Sequence, residues 1–119
     1  MSKIQEALTE LRRAPGVKGG ALVTADGLMV AQSLDPRFHD EAVAGLTSFL
    51  LSTTCKSLAD GGMGTCERFV LHATHGRAVF AAVEESFLVV LLDQFADLDG
   101  CKAEIDVAVQ QLRRSSRLQ

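Results

Sequence analysis

Apolar and polar positions alternate along the chain with periods that divide it into short helices and strands. Ile4, Leu8 and Leu11 recur at helical spacing behind Ser2 and Gln5, a pair that suits a capping box. Arg12 and Arg13 suit the negative end of that helix, and Pro15–Gly16 stops it. Val17 to Thr24 reads as a strand in which Gly19–Gly20 marks a bulge or a close approach. Asp26–Gly27 is a two-residue hairpin turn, with Leu28 to Gln32 as the return strand. After a loop from Ser33 to His39, a helix runs from Asp40 to Ala59, and Gly61-Gly62-Met63-Gly64 ends it. Cys66 to Thr74 alternates, with Phe69, Leu71 and Ala73 on one side and Arg68, Val70, His72 and Thr74 on the other. His75–Gly76 turns the chain into a return strand from Arg77 to Val83, and Glu84-Glu85-Ser86 turns it again.

Phe87 to Leu92 is apolar at every position, the pattern of a central strand covered on both faces. A last helix, from Asp97 or Asp99 to Arg114, carries the stripe Leu98, Cys101, Ile105, Ala108 and Leu112. The expected order is α-β-β-α-β-β-β-α. It describes a single α+β domain over residues 1–119, an α/β/α sandwich. Its five-stranded, mainly antiparallel sheet has helices on both faces.

The middle helix departs from the usual pattern. From Ala42 to Cys55 it contains no charged residue. Val43, Leu46, Phe49 and Leu50, with Ala42 and Thr53, form a stripe expected to sit on the core. The opposite face, Ala44, Ser48, Leu51, Ser52 and Cys55, is small and neutral where a solvated helix normally carries Lys and Glu. That face is therefore expected to be covered, most simply by the same helix of a second copy, since two-fold homodimers are the commonest assembly.

Composition narrows the class. The chain has 119 residues, 47% hydrophobic and 23% charged, with net charge −3. This is an ordinary globular balance, enough for one core. It has no basic cluster with interleaved aromatics and no Trp or Tyr, so nucleic acid is not an expected partner. The start lacks an apolar signal core and no apolar run is long enough to span a bilayer. Three cysteines, an odd number, point to free thiols in a reducing compartment, and a cytoplasmic location is expected.

Candidate chemistry is sparse. Cys55, Cys66, Cys101, His39, His72 and His75 match no trusted zinc spacing, and no Cys-x-x-Cys pair is present. The cysteines read as packing residues, and His75 as a turn residue tolerant of left-handed geometry. The Gly61–Gly64 run follows a helix and precedes a strand, the reverse of a phosphate loop, and no Gly-Lys-Ser/Thr follows. Arg37, Arg68 and Arg77 are candidates to meet an acidic partner. No metal, cofactor or catalytic residue is expected, and the chain reads as a non-enzyme.

The Pro15-Gly16-Val17-Lys18-Gly19-Gly20-Ala21-Leu22-Val23 segment, the Ala25-Asp26-Gly27-Leu28 turn, Val30–Ala31, the Ala-rich middle helix, the turn at Gly76 and the strand Phe87 to Leu92 together resemble the roadblock/LC7 family. The resemblance covers nearly the whole length. The chain is similar to bacterial MglB-type regulators of Ras-like GTPases, and the resemblance implies a sheet with two helices on one face and one on the other. It implies pairing with itself or a related roadblock subunit, with third strands edge to edge and middle helices side by side. That adds Arg68, Val70 and His72 to the expected dimer interface of Ala44, Ser48, Leu51, Ser52 and Cys55. It further implies a module in polarity, motility or signalling that binds a small Ras-like GTPase and modulates its hydrolysis or localisation, or that serves only as a scaffold. The alternative from architecture alone is a small-ligand sensor of profilin or PAS-like build, with Thr47, Thr53, Thr54 and His72 as scattered polar candidates.

Overall fold

A computed structural model describes residues 2–117. Helix α1 (Lys3–Arg12) begins at Ser2, whose side chain accepts from the Gln5 backbone N–H, so the capping pair forms its helical half. Strands β1 (Val17–Thr24) and β2 (Met29–Leu34) make the first hairpin. Helix α2 (Asp40–Leu50) continues through a π-helical turn (Leu51–Cys55) into the short α3 (Lys56–Asp60), so these three segments form one helical rod. Strands β3 (Arg68–Ala73), β4 (Gly76–Val83) and β5 (Ser86–Leu92) form a meander, and α4 (Leu98–Arg117) follows.

The five strands lie in the order β2-β1-β5-β4-β3, and every pairing is antiparallel. β5 sits at the centre, as its unbroken apolar run requires, and Leu88, Val89 and Val90 are buried. Its alternation feeds two cores. Leu88, Val90 and Leu92 join Leu22, Val79 and Ala81 under α1 and α4 through Leu8, Leu11, Ile105 and Leu112. Val89 joins Ala21, Val23, Leu34 and Phe80 under Ala44 of α2. The expected sandwich, with two helices on one face and one on the other, is the observed fold.

Several boundaries move. β2 starts at Met29 and reaches Leu34, because Leu28 belongs to the turn: its N–H donates to Oγ1 of Thr24, the last residue of β1, at 3.0 Å. β3 starts at Arg68, two residues after Cys66, and ends at Ala73. α4 runs to Arg117. His75 is not in left-handed geometry; the one non-glycine residue with positive φ among the described residues is Glu84 at 55°.

The glycines at the start of β1 answer the choice between bulge and close approach with both. The β1–β5 register shifts between Val17 and Gly19, and a Cβ at Gly19 would lie 2.8 Å from the Leu34 Cα on the neighbouring strand. Gly16 is more constrained still. Its φ is +86°, and an added Cβ would meet the Ala96 Cβ at 2.7 Å. The close seat of the β5–α4 loop on the end of α1 depends on this residue. Gly16→Ala is expected to lower the free energy of unfolding by about 2 kcal/mol or more, from backbone strain plus overlap. Urea denaturation of the two proteins measures it.

Candidate interaction surface

One helical rod covers the second face of the sheet, and α2 lies over β1 and β2. The residues that seat it are the small ones. Ala44 and Leu51 are buried, Thr47 is fully buried, and Ser48 is half-buried. Thr47 tolerates burial because its hydroxyl donates to the Val43 carbonyl one turn back, at 2.8 Å. The Ser48 hydroxyl donates to the Ala25 carbonyl at 3.1 Å, and a Cβ on Gly27 would lie 3.3 Å from the Ser48 Cβ. The helix thus docks on the β1–β2 turn by close backbone approach.

This inverts the expected faces of the middle helix. Leu46 and Phe49, expected in the core, are 51% and 67% exposed. Ala44 and Leu51, expected to meet a partner, are buried in their own chain. Ser48 is turned inward, and Cys55 is half-buried beside Cys66. Ser52 alone of that set is exposed. The physical reason is contact distance: small side chains let the helix lie close to its own sheet, and large ones on the far side are left in solvent. Val43 and Leu50 sit on the flank between these faces, half-buried against the second core.

Beyond that flank the sheet face stays open. Phe69, Ala78, Phe87 and Leu91 are only partly buried, and Leu71 is 38% exposed. The Phe69 and Phe80 rings stack at 4.7 Å between centroids, so the floor of this region is rigid and apolar. β3 bounds it as the last strand of the sheet, with an unpaired outer edge. Leu46, Leu50, Phe69 and Leu71 therefore offer apolar surface beside a free strand edge.

The other residues predicted for this surface take different places. Val70 and His72 are exposed on β3 but alternate onto the α1–α4 side. Arg68 shares that side and reaches α4, where its Nη1 lies 2.8 Å from Asp106 Oδ1, while Lys102 Nζ lies 2.9 Å from Asp106 Oδ2. Hydrogen bonds from Lys102 and then Arg68 hold the Asp106 carboxyl below the usual carboxylate range. Arg68 is thus an intrachain tether of the edge strand. Arg77 is likewise occupied, its Nη1 donating to the Ala96 carbonyl at 2.7 Å, and Arg37 lies over the Phe38 ring at 5.3 Å. Thr53 is exposed and Thr54 half-buried, so with Thr47 turned into its own helix the polar candidates do not converge. Among the described residues, no three His, Cys, Asp or Glu side chains cluster as a metal site would need, and no helix is long and apolar enough to cross a membrane.

A second groove lies between the β1–β2 turn and the start of α2. Asp26, Leu28, Asp40, Glu41, Gly45 and Phe49 line it, and Leu28 is as exposed as Phe49. It combines three carboxylates with two large apolar side chains.

A profile of the Roadblock/LC7 domain matches residues 3–92 of this chain. The chain belongs to the Roadblock/LC7 family. An uncharacterised protein of Methanocaldococcus jannaschii is 33% identical over 110 residues, 92% of this chain and 96% of that protein. Among solved structures, Myxococcus xanthus MglB superposes with a TM-score of 0.93 at 16% identity, over 100% of this chain and 98% of that one. An MglB with tetrameric arrangement gives 0.85 at 19%, over 97% and 88%. The likeness to Acanthamoeba castellanii profilin IB is weaker, 0.67 at 13%, over 94% and 98%. At these identities the structural likenesses speak for the fold alone. The family match, with MglB-like neighbours in fold, supports a regulatory or scaffold role.

The Arg68–Asp106–Lys102 cluster yields a pH prediction. A carboxylate whose folded-state pKa is depressed contributes stability above its ordinary value of 3.8, and that contribution is lost as pH falls through the lowered folded value. Asp106→Asn is expected to speed amide exchange along β3 at neutral pH. The difference from the unaltered chain should shrink as pH falls below 3.8. A difference that persists unchanged into strong acid would mean that Asp106 acts through packing instead of charge.

Proposed function

We propose that this chain is a dimeric regulatory module that binds a small Ras-like GTPase and alters its hydrolysis or its location. The observation that carries the reading is the apolar surface of Leu46, Leu50, Phe69 and Leu71 beside the free edge of β3. A second copy related by a two-fold axis suits it. Antiparallel pairing of the two β3 edges continues the sheet, and the α2 flanks then meet over its open half. Membership of the Roadblock/LC7 family and the tetrameric arrangement of an MglB of the same fold support this assembly.

The partner GTPase is assigned to the outward side of the paired helices and the neighbouring loops, where Leu28 and Phe49 flank the acidic groove. We read the module as acting by binding, without catalytic residues of its own. Contact orders the mobile switch segments of the GTPase, by as much as the module prefers the GTP form over the GDP form. A module with no such preference is a scaffold. We place this activity in the cytoplasm, where free thiols persist. The clefts between α1 and α4 are grooves lined by Ala7, Glu10, Val107 and Gln111, without the enclosed, convergent polar groups that a metabolite sensor needs.

Two measurements test the reading. Light scattering should give twice the chain mass for the unaltered protein. Leu46→Arg should return it to one chain, weakening association by about a hundredfold or more, as for a charge placed at the centre of an apolar contact. An unaltered chain that stays monomeric at high concentration overturns self-assembly. Capture from source-cell lysate with a non-hydrolysable GTP analogue, and in parallel with GDP, should enrich a small GTPase with the analogue. Phe49→Arg should lose that capture while keeping the dimer. Equal capture with both nucleotides indicates a scaffold, and no GTPase with either removes the proposal.

A further inference from the structure

We infer that Cys55 and Cys66 form a dithiol site that closes to an intrachain disulfide when the protein meets a peroxide. Cys55 ends the π-helical turn, and Cys66 lies two residues before β3, so the fold brings together thiols from two separate elements. Their side chains interact, and both line one cavity of about 290 Å³ with Leu51, Ala59, Thr65 and Phe87. Each is half-buried, which leaves the sulfurs within reach of a small oxidant. The third thiol is placed differently: Cys101 is buried on α4 itself and donates to the Pro15 carbonyl at 3.4 Å.

The backbone between the two sulfurs permits closure. A disulfide needs its sulfurs about 2 Å apart, closer than hydrogen-bonded thiols. Between the cysteines lie Gly61, Gly62 and Gly64. The last two have φ of +81° and +84°, and nothing lies within 4 Å of where their Cβ atoms would be. Open space at Gly62 and Gly64 leaves this connection room to move, while the Gly62 and Met63 N–H groups donate to the Ala59 and Leu58 carbonyls at its helix end. The π turn on the other side is a locally unusual helical geometry of the kind frequent at functional sites.

The chemistry has a direction. Burial, followed by the hydrogen bond to Cys66, pushes the Cys55 thiol up to about 12, so it keeps its proton at neutral pH. That makes Cys55 the poorer first nucleophile, so Cys66 is assigned to take the oxidant and Cys55 to resolve it. The Cys66 sulfur attacks one peroxide oxygen, the O–O bond breaks, and Cys66 becomes a sulfenic acid with release of water. The Cys55 sulfur then attacks the Cys66 sulfur, the S–O bond breaks, and the Cys55 proton leaves with the hydroxyl as a second water. In sum two thiols and one hydrogen peroxide give one disulfide and two waters. The bond ties the π-helical turn of the rod to the segment just before the edge strand and encloses α3 in the loop between them. This inference stands whether or not the chain pairs with itself.

Tryptic cleavage separates the two cysteines, since Lys56 and Arg68 place them in peptides 38–56 and 57–68. The test treats the folded full-length protein with one equivalent of hydrogen peroxide, blocks remaining thiols, and maps the peptides without reductant. The expected result is the two peptides joined, lighter by two hydrogens, with two of the three thiols lost to alkylation and Cys101 retained. Dithiothreitol should release them. In Cys55→Ser, which lacks the resolving thiol, dimedone should label Cys66. Separate peptides carrying sulfinic or sulfonic acid, or peptides left unmodified, overturn the proposal. So does a cross-link between differently isotope-labelled copies, which would assign the bond to two chains.

Discussion

A five-stranded sheet is too wide for one helix. Strands lie about 4.8 Å apart, so five of them present a face roughly 20–25 Å across, while a helix with its side chains is about 10–12 Å in diameter. Two helices close such a face and one leaves about half of it uncovered. On the first face α1 and α4 lie side by side and the core beneath them is complete, with Leu8, Leu88 and Leu112 fully buried. On the second face one rod sits over β1 and β2, and Phe69, Ala78 and Leu91 remain only partly buried. The open half is a geometric consequence of the element count, and the apolar flank of α2 that borders it follows from the same shortage.

The element order and the sheet with helices on both faces are legible in the sequence because each rests on a local signal, while the two-plus-one arrangement of helices follows only from the family resemblance. Pro15–Gly16, Asp26–Gly27 and the run from Phe87 to Leu92 name a stop, a turn and a doubly covered strand without help from neighbours. The orientation of the middle helix was not legible in the same way. Amphipathic reading assumes that the larger apolar stripe faces the core, and the rule holds when the opposite stripe is charged. Here both stripes are neutral, and what distinguishes them is size. Ala44, Thr47 and Ser48 fit a close approach to the β1–β2 turn that Leu46 and Phe49 would prevent, so packing distance overrode hydrophobicity. The absence of charge did signal that an apolar face of this helix is left over, but attached that face to the wrong residues.

The same distinction explains the fate of the polar candidates. Arg68, Val70 and His72 were grouped because they alternate together on β3, and the alternation is real. Alternation says which residues share a face and not which face meets a partner. Strand position and the reach of Arg68 to Asp106 assign this set to the α4 side, opposite the open half. Cys55 and Cys66 show the converse limit. Eleven positions apart and on different elements, they share no periodicity, and only the return of the chain through the glycine connection sets one thiol beside the other.

The Roadblock/LC7 family match supports a regulatory or scaffold role, and the two faces of the sheet are built unequally for it. The closed face makes the fold stable: its helices, the Arg68–Asp106 tether and the Arg77 bond to Ala96 hold the edge strand and the β5–α4 loop in place without using the open side. A surface that binds must stay exposed until its partner arrives, so its residues cannot be the ones on which folding depends. Leu46 and Phe49 meet that condition, because removing them from the isolated chain opens no cavity in either core. Ala44, Thr47 and Leu51 do not, since they seat the helix. The sequence can therefore vary at the exposed positions to change partners while the small residues beneath keep the helix in register. That separation allows one fold to serve several regulatory roles.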